Sequence, residues 1–233
     1  ALPEIDRADA ALLRLGRAEV LAELGHRSID AEVVGVSAPR REGLDELVQA
    51  LAAIIGETTV ADRGRPRLPV DRSFTMTGFG TVVTGSLVDG PLRVGQQLAL
   101  LPPAAAPGRG NGRARLVRVR GLQQHGVAVT EAHPGSRVAA NLQGIDHQDV
   151  RRGQVLAPAG SLRTTAQLDA HVRVLEGSAG LRHNSRVRVH SGTAEVAARL
   201  MVLGANRLEA GSQGWVQLRL AAPIALRDGD RMV

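Results

Sequence analysis

The sequence predicts a mainly β chain: two consecutive small β-barrels, preceded by the last part of an α/β unit. Three observations carry this expectation. Helical apolar periodicity is confined to the residues before position 57. From residue 66 onward it gives way to short β-rich runs separated by glycine turns. The charge changes at the same place: residues 1–64 carry 7 Arg against 12 Asp and Glu, and residues 65–233 carry 22 Arg against 11.

The elements follow in order. Residues 7–24 read as a helix, with Leu12, Leu13, Leu15, Val20, Leu21 and Leu24 on an apolar stripe and Gly25 ending it. Residues 31–36 (AEVVGV) read as a short buried strand. Residues 43–55 read as a second amphipathic helix, with Gly56 beyond it. One strand makes no stable sheet, so either the rest of the sheet is expected upstream of Ala1 or this piece leans on the domains that follow. Residues 57–66 read as a linker. Strands are then expected in RLPVDRSFTM, GTVVTGSLV, GQQLALL, RARLVRVRGL, SRVAANL and GQVLA, with Asp89-Gly90 as a hairpin-type turn. Residues 102–112 read as a flexible loop. A second β-rich stretch from Thr165 contains AQLDAHVRVL, SRVRVH, TAEVAARLMVL and GWVQLRL. Arg231-Met232-Val233 reads as the start of a strand expected to continue past the end. The domains are therefore placed at 1–60, 65–160 and 163–233.

Composition narrows the function. There is no cysteine, so disulfides and thiolate metal sites are excluded. No apolar run is long enough to span a membrane, and no signal peptide is expected at the start. A cytoplasmic protein without a membrane partner is the simplest expectation. All 29 basic residues are arginine. GC-rich coding accounts for the bias, yet arginine also pairs with phosphate in two-point contacts and keeps its charge. The net positive charge of residues 65–233 fits a polyanion such as RNA, or a dispersed basic surface with no partner. Phe74, Phe79 and Trp215 are the only aromatics, too few for base-stacking recognition of single strands. Backbone recognition of folded RNA fits better. His125, His133, His147, His171, His183 and His190 show no metal-ligand spacing, and no catalytic constellation is visible.

Three motifs remain. Val36-Ser37-Ala38 ends the expected strand and precedes a helix beginning Gly43-Leu44-Asp45, and ligands of open α/β sheets sit at such strand ends. The pattern resembles the last nucleotide-binding element of GTPases, in which the alanine N–H reads the guanine carbonyl; that implies Ala38 here, beside Ser37. Residues 2–6 (LPEID) stand where the family reads the base. Asp6 matches its aspartate, while Pro3 and Glu4 replace the hydroxyl or amide residue and the lysine that packs on guanine. The chain has no GxxxxGK[ST] loop, no lysine and no DxxG element. It is not expected to hydrolyse GTP or to bind it well.

Residues 68–97 and 135–156 carry the most specific pattern. The first contains Gly78-Phe79-Gly80-Thr81-Val82-Val83-Thr84-Gly85, with the Val pair expected to fill a barrel. Together they resemble the second domain of translational GTPases. Within that group, Val70-Asp71-Arg72-Ser73-Phe74, the run Val117 to Gln123, and Gly135-Ser136-Arg137 are most similar to selenocysteine-specific elongation factors. The resemblance implies an aminoacyl pocket formed by Asp71, Arg72 and Arg137. Two arginines around an ionised selenol would favour it over serine or cysteine. On the residues alone, Asp71-Arg72 also reads as a surface pair and Arg137 as a solvated strand residue.

Residues 181–196 resemble the third domain of the same family. That implies tRNA phosphate contacts by Arg182, Arg186, Arg188 and His190, the last three alternating on one strand face. The resemblance further implies a parent protein that binds GTP with Mg, carries selenocysteinyl-tRNA and works on the ribosome. An mRNA selenocysteine-insertion hairpin would be bound only by a C-terminal region absent here. A general translational GTPase binding ordinary aminoacyl-tRNA, and a barrel module with no RNA role, remain open as alternatives.

Overall fold

Asp9 fixes where the first helix begins. Its Oδ1 accepts the N–H groups of Ala11 (2.9 Å) and Leu12 (2.8 Å), and α1 (Ala10–His26) follows. The expected start at residue 7 fails because Ile5–Arg7 form a single 3-10 turn ahead of that cap. Gly25 and Gly56 both lie inside helices instead of ending them, since α2 runs Leu44–Glu57. The computed structural model describes residues 2–26, 29–57, 59–102 and 114–233. The expected loop at 102–112 lies outside them apart from Pro102.

Residues 1–59 form one compact unit. The strand expected at 31–36 does not form a ladder. Its backbone is met by Leu2, which donates to the Val34 carbonyl (2.7 Å) and accepts from the Val36 N–H (2.9 Å), and by Ile5, whose N–H donates to the Val36 carbonyl (3.2 Å). The result is an isolated parallel bridge at Leu2–Gly35. A ladder needs a partner of matching length, and the described residues hold none. The turn into α2 requires glycine. Gly43 has φ +68°, and a Cβ there would lie 2.0 Å from the Gly35 carbonyl oxygen.

Residues 60–233 form the second unit. Its first barrel is built from β1 (Leu68–Pro69), β2 (Arg72–Met76), β3 (Gly80–Ser86), β4 (Leu92–Arg93), β5 (Gln97–Leu101), β6 (Arg115–Gln124), β7 (Val127–Val129), β8 (Glu131–Ala132), β9 (Arg137–Gln143) and β10 (Val155–Ala157). The main sheet runs β1-β10-β5-β6-β9-β3-β2. Its two ends, β1 and β2, are one continuous stretch of chain. The Val70 N–H donates to Gln154 O (2.8 Å) on the β10 side, and the Asp71 N–H donates to Thr84 O (2.9 Å) on β3. The segment thus changes partner between Val70 and Asp71, and the sheet closes on itself. Gly85 permits the crossing, because a Cβ there would sit 2.1 Å from the Pro69 carbonyl oxygen.

Val70, Val83, Leu87, Leu92, Leu98, Val117, Val119, Val138 and Leu156 fill the interior. The expectation that the Val82-Val83 pair fills it holds for Val83 only. Successive strand residues face opposite sides. Val82 is buried on the outer face, between its cross-strand partners Phe74 and Asn141. Asp89-Gly90 does not close a hairpin either: β4 pairs with β8, not with β3. Part of the expected linker is tied to this barrel. Arg63 and Arg65 donate backbone N–H bonds to Asp89 O (2.8 and 3.2 Å), and Arg67 exchanges backbone bonds with Val88.

The second barrel contains β11 (Arg163–Arg173), β12 (Leu181–Arg182), β13 (Ser185–Ser191), β14 (Ala194–Val202), β15 (Arg207–Leu208) and β16 (Gln213–Leu226). The sheet order is β11-β16-β14-β13, with β12 and β15 forming a separate ribbon. Val189, Val196, Leu200, Val202, Val216, Leu218 and Leu220 alternate inward. The last residues are not a regular strand, but Val233 exchanges both backbone bonds with His190 (2.7 and 3.0 Å) along the edge of β13.

Arg67 joins the barrels. Its Nε donates to Asp89 Oδ2 of the first barrel. Its Nη1 and Nη2 donate to Asp230 Oδ2 (2.7 Å) and Oδ1 (3.0 Å) at the end of the second. All three side chains are mostly buried. Burial opposes the charge on Arg67, but the carboxylates of Asp230 and Asp89 outweigh it and hold the guanidinium pKa above its ordinary value. Arg67→Met leaves Asp89 and Asp230 short of their main cation. It should cost about 3 kcal/mol or more of unfolding free energy, read by urea denaturation. A loss under about 1 kcal/mol would class the bridge with ordinary surface pairs.

Candidate functional site

The change of partner at Val70 and Asp71 places Asp71 beside β3. Cross-strand register does the rest. Arg72 lies opposite Thr84, Thr84 opposite Ala139, and Ser86 opposite Arg137. Directly opposed residues share a face, so Arg72, Thr84 and Arg137 stand on the outer face of β2-β3-β9. Arg137 donates from Nη1 to Asp71 Oδ2 (2.6 Å), and from Nη2 to Asp71 Oδ1 (3.1 Å) and Thr84 Oγ1 (3.2 Å). The Thr84 hydroxyl donates to Asp71 Oδ1 (2.6 Å). Burial pushes the Asp71 carboxyl pKa up. The Thr84 hydrogen bond and Arg137 outweigh it, with a smaller pull from the Arg72 charge, and the net direction is down. Arg72 is exposed and has no hydrogen bond or ion pair among the described residues. The three sequence-derived residues are therefore brought together, but unequally: Arg137 is hydrogen-bonded to Asp71, while Arg72 acts on it through charge alone. Thr84 was given no role by the sequence, although it stands in the glycine-rich run. Its contact depends on register.

On the second barrel, Arg186, Arg188 and His190 point outward from β13. Arg188 pairs with Glu195. Arg182 lies apart from this face, on the β12–β15 ribbon opposite Arg207. Register adds two arginines that the sequence reading left out. Arg186 lies opposite Arg199, and Arg199 opposite Arg219.

In the first unit, a cavity of about 300 Å³ is lined by Pro3, Glu4, Asp6, Val36, Ala38 and their neighbours. Asp6 and Ala38 thus meet at one opening, while Ser37 is fully buried behind it. A hydrogen bond from Ser37 is the main cause holding the Asp6 carboxyl below its usual range. Asp6 Oδ1 is buried with no partner among the described residues, an acceptor without a donor. That fits the base end of a guanine nucleotide, whose ring N–H groups are donors. Among the described residues no group of three or more acidic or histidine side chains is placed to hold a metal.

The family described as Elongation factor Tu domain 2 matches residues 80–157, and that described as the beta-barrel domain of selenocysteine-specific elongation factor matches 166–233. A selenocysteine-specific elongation factor of Desulfomicrobium baculatum is 35% identical over 237 residues, covering 100% of this chain and 36% of the relative. The chain is a homologue of the selenocysteine-specific elongation factors. A crystal structure of the bacterial selenocysteine-specific elongation factor EF-Sec superposes with a TM-score of 0.84 at 26% identity, over 100% of this chain and 36% of that one. Translation elongation factor SelB from Methanococcus maripaludis, in its apo form, gives a TM-score of 0.82 at 23% identity, over 99% of this chain and 51% of that one, a likeness of fold. The chain spans about a third of the length of its curated relative. No helix among the described residues is long and apolar enough to cross a membrane.

The Asp71–Arg137 pair sets a pH signature. A depressed carboxyl pKa contributes stability that is present above the unfolded value and lost as pH falls through the folded one. Wild type should therefore exceed Arg137→Gln by at most about 1 kcal/mol at neutral pH, given the exposure of Arg137, and the gap should close on acidification. NMR of the Asp71 carboxyl carbon should show its titration moving to higher pH in the variant. An unmoved titration would mean that the pair does not form in solution.

Proposed function

We propose that this chain is the tRNA-holding portion of a selenocysteine-specific elongation factor. Its parts on this reading are a C-terminal piece of a GTP-binding domain at 1–60, a tRNA-end-binding barrel at 65–160 and a second tRNA-contacting barrel at 163–233. The observation that carries the reading is the free Arg72 on the same strand face as the Asp71–Thr84–Arg137 cluster. A cysteine thiol has a pKa of roughly 8.5 and is mostly neutral near pH 7. A selenol is more acidic and mostly ionised. A free guanidinium beside a second, partly satisfied one attracts the anion by charge-assisted hydrogen bonds and offers a serine hydroxyl much less. Arg182, Arg186, Arg188 and His190 are proposed to meet tRNA phosphates.

Asp6 and Ala38 would hold the guanine base of GTP, with Ser37 supporting Asp6. In the parent factor, GTP with its Mg ion would supply the conformational switch. Pro3 and Glu4 remove the packing that a lysine gives the base, so weak binding by this chain is expected. Delivery to the ribosome, in the cytoplasm, and recognition of an mRNA hairpin by a further C-terminal region complete the proposal for the parent protein.

Binding of tRNA charged with selenocysteine, serine or cysteine tests the pocket directly. Selenocysteinyl-tRNA should bind most tightly. Arg72→Gln should weaken that complex about tenfold or more and leave the seryl complex nearly unchanged. Equal affinities for the three would reject the selenol pocket and favour a general aminoacyl-tRNA carrier.

A further inference from the structure

A cavity of about 290 Å³ lies where the two barrels of the second unit meet. Two backbone features shape it. In β16 the register with β11 jumps from Thr165 opposite Ile224 to Gln167 opposite Arg219, and the pairing with β14 ends at Leu220. Ala221, Ala222 and Pro223 therefore bulge out of the ladder with no cross-strand partner among the described residues. Pro223 suits the place, having no N–H to leave unpaired. On the side of the first barrel, Arg151 to Gln154 make a tight turn ahead of β10. The Gln154 N–H closes it on the Arg151 carbonyl (3.2 Å), with Gly153 at φ +93°. The turn approaches the second barrel so closely that a Cβ at Gly153 would lie 3.1 Å from Ala194 Cα.

Pro102, Val196, Ala222, Pro223 and Ile224 give the cavity an apolar lining. Four charged or amide side chains share it, and two of them are committed. Gln154 is buried and ties the walls together: its Oε1 accepts the Arg151 N–H (2.8 Å) and its Nε2 donates to the Pro102 carbonyl (2.9 Å). Glu195 is ion-paired with Arg188. Arg151 and Arg152 remain. Both are exposed, and neither side chain makes a hydrogen bond or an ion pair among the described residues. One pinned turn thus presents two open guanidinium groups at the rim of an apolar hollow.

We propose that this cavity is a binding site for a small amphipathic monocarboxylate. Open guanidinium groups hold a carboxylate through charge-assisted hydrogen bonds, and the apolar lining takes a compact hydrocarbon body. The volume stands at the lower end of ligand sites, about 300 Å³, and so admits a small molecule. Glu195 at the rim repels a second negative charge, which favours a carboxylate over a phosphate dianion. The lining comes from both barrels, so a bound molecule holds them together. The site shares no residue with the Asp71–Arg137 cluster or with the cavity at Asp6, and it needs no tRNA.

The test titrates the full chain with phenylbutyrate as the probe and follows the backbone amides by NMR. Saturable shifts are expected at Gly153, Gln154, Ala222 and Ile224. Phenylbutyramide lacks the charge and acetate lacks the apolar body, and each should bind about tenfold more weakly or worse. Arg151→Gln with Arg152→Gln should weaken phenylbutyrate by about the same factor. A charge-matched pair, Arg163→Gln with Arg173→Gln, lies outside the cavity and should leave the affinity nearly unchanged. Ala222→Trp fills the hollow from an exposed position, so it should abolish the saturable shifts and keep the wild-type melting temperature. Saturating probe should raise the melting temperature of wild type and not of Ala222→Trp. Shifts that never saturate, or an amide that binds as well as the acid, would overturn the site. So would equal losses in the two arginine pairs, which would reduce it to net charge, or full binding by Ala222→Trp, which would place the probe elsewhere.

Discussion

One stretch of ten residues, from Arg67 to Met76, sets the conditions for the rest of the second unit. Its first side chain reaches Asp230 in the other barrel, Leu68 and Pro69 pair with β10, and Arg72 to Met76 pair with β3. A sheet closes into a barrel only if some strand has a neighbour on each free edge. Here a single segment supplies both by changing partners between Val70 and Asp71. The closure therefore fixes the position of Asp71 to within a hydrogen bond of Thr84, and the ion pair with Arg137 is built on that position. Disturbing Gly85, over which the segment crosses, would move the cluster as well as the barrel.

An all-arginine basic complement makes the distribution of partners informative. Arg67 is nearly enclosed and met by two carboxylates. Arg93, Arg115 and Arg188 pair at the surface with Glu131, Asp149 and Glu195. Such exposed pairs contribute little to stability. Among those that no carboxylate holds in an ion pair, Arg72, Arg186, Arg199 and Arg219 lie on outer strand faces where an anion can approach. Burial thus separates arginines that hold the fold from arginines open to a ligand, a division that residue type alone does not express.

The two barrels were legible in the sequence because short β-branched runs between glycine turns have few other solutions. Helix α2 was legible from its apolar stripe. The strand at 31–36 was not realised, since a strand depends on neighbours that its own residues do not specify. Asp89-Gly90 misled for a related reason: the dipeptide has turn chemistry, but the Asp89 carboxylate is committed to Arg67, from a segment 22 residues earlier. At the candidate site, Asp71, Arg72 and Arg137 could be named from motifs. Thr84, Arg199 and Arg219 could not, because their importance comes from register, and register is set by closure and by the inward-facing apolar set rather than by adjacent residues.

The proposed pocket contains its own competing anion. Asp71 already accepts both terminal nitrogens of Arg137, so an incoming selenolate cannot take that guanidinium without weakening an existing pair. Arg72 makes no hydrogen bond to Asp71 and feels it through charge alone, so it offers its guanidinium at a smaller cost. Neutral serine gains little from either arginine, and a protonated cysteine little more. A carboxylate within the site thus raises the threshold that any side chain must exceed to engage Arg137, and only one carrying a full negative charge exceeds it readily. Discrimination on this reading comes as much from what Asp71 withholds as from what Arg72 supplies.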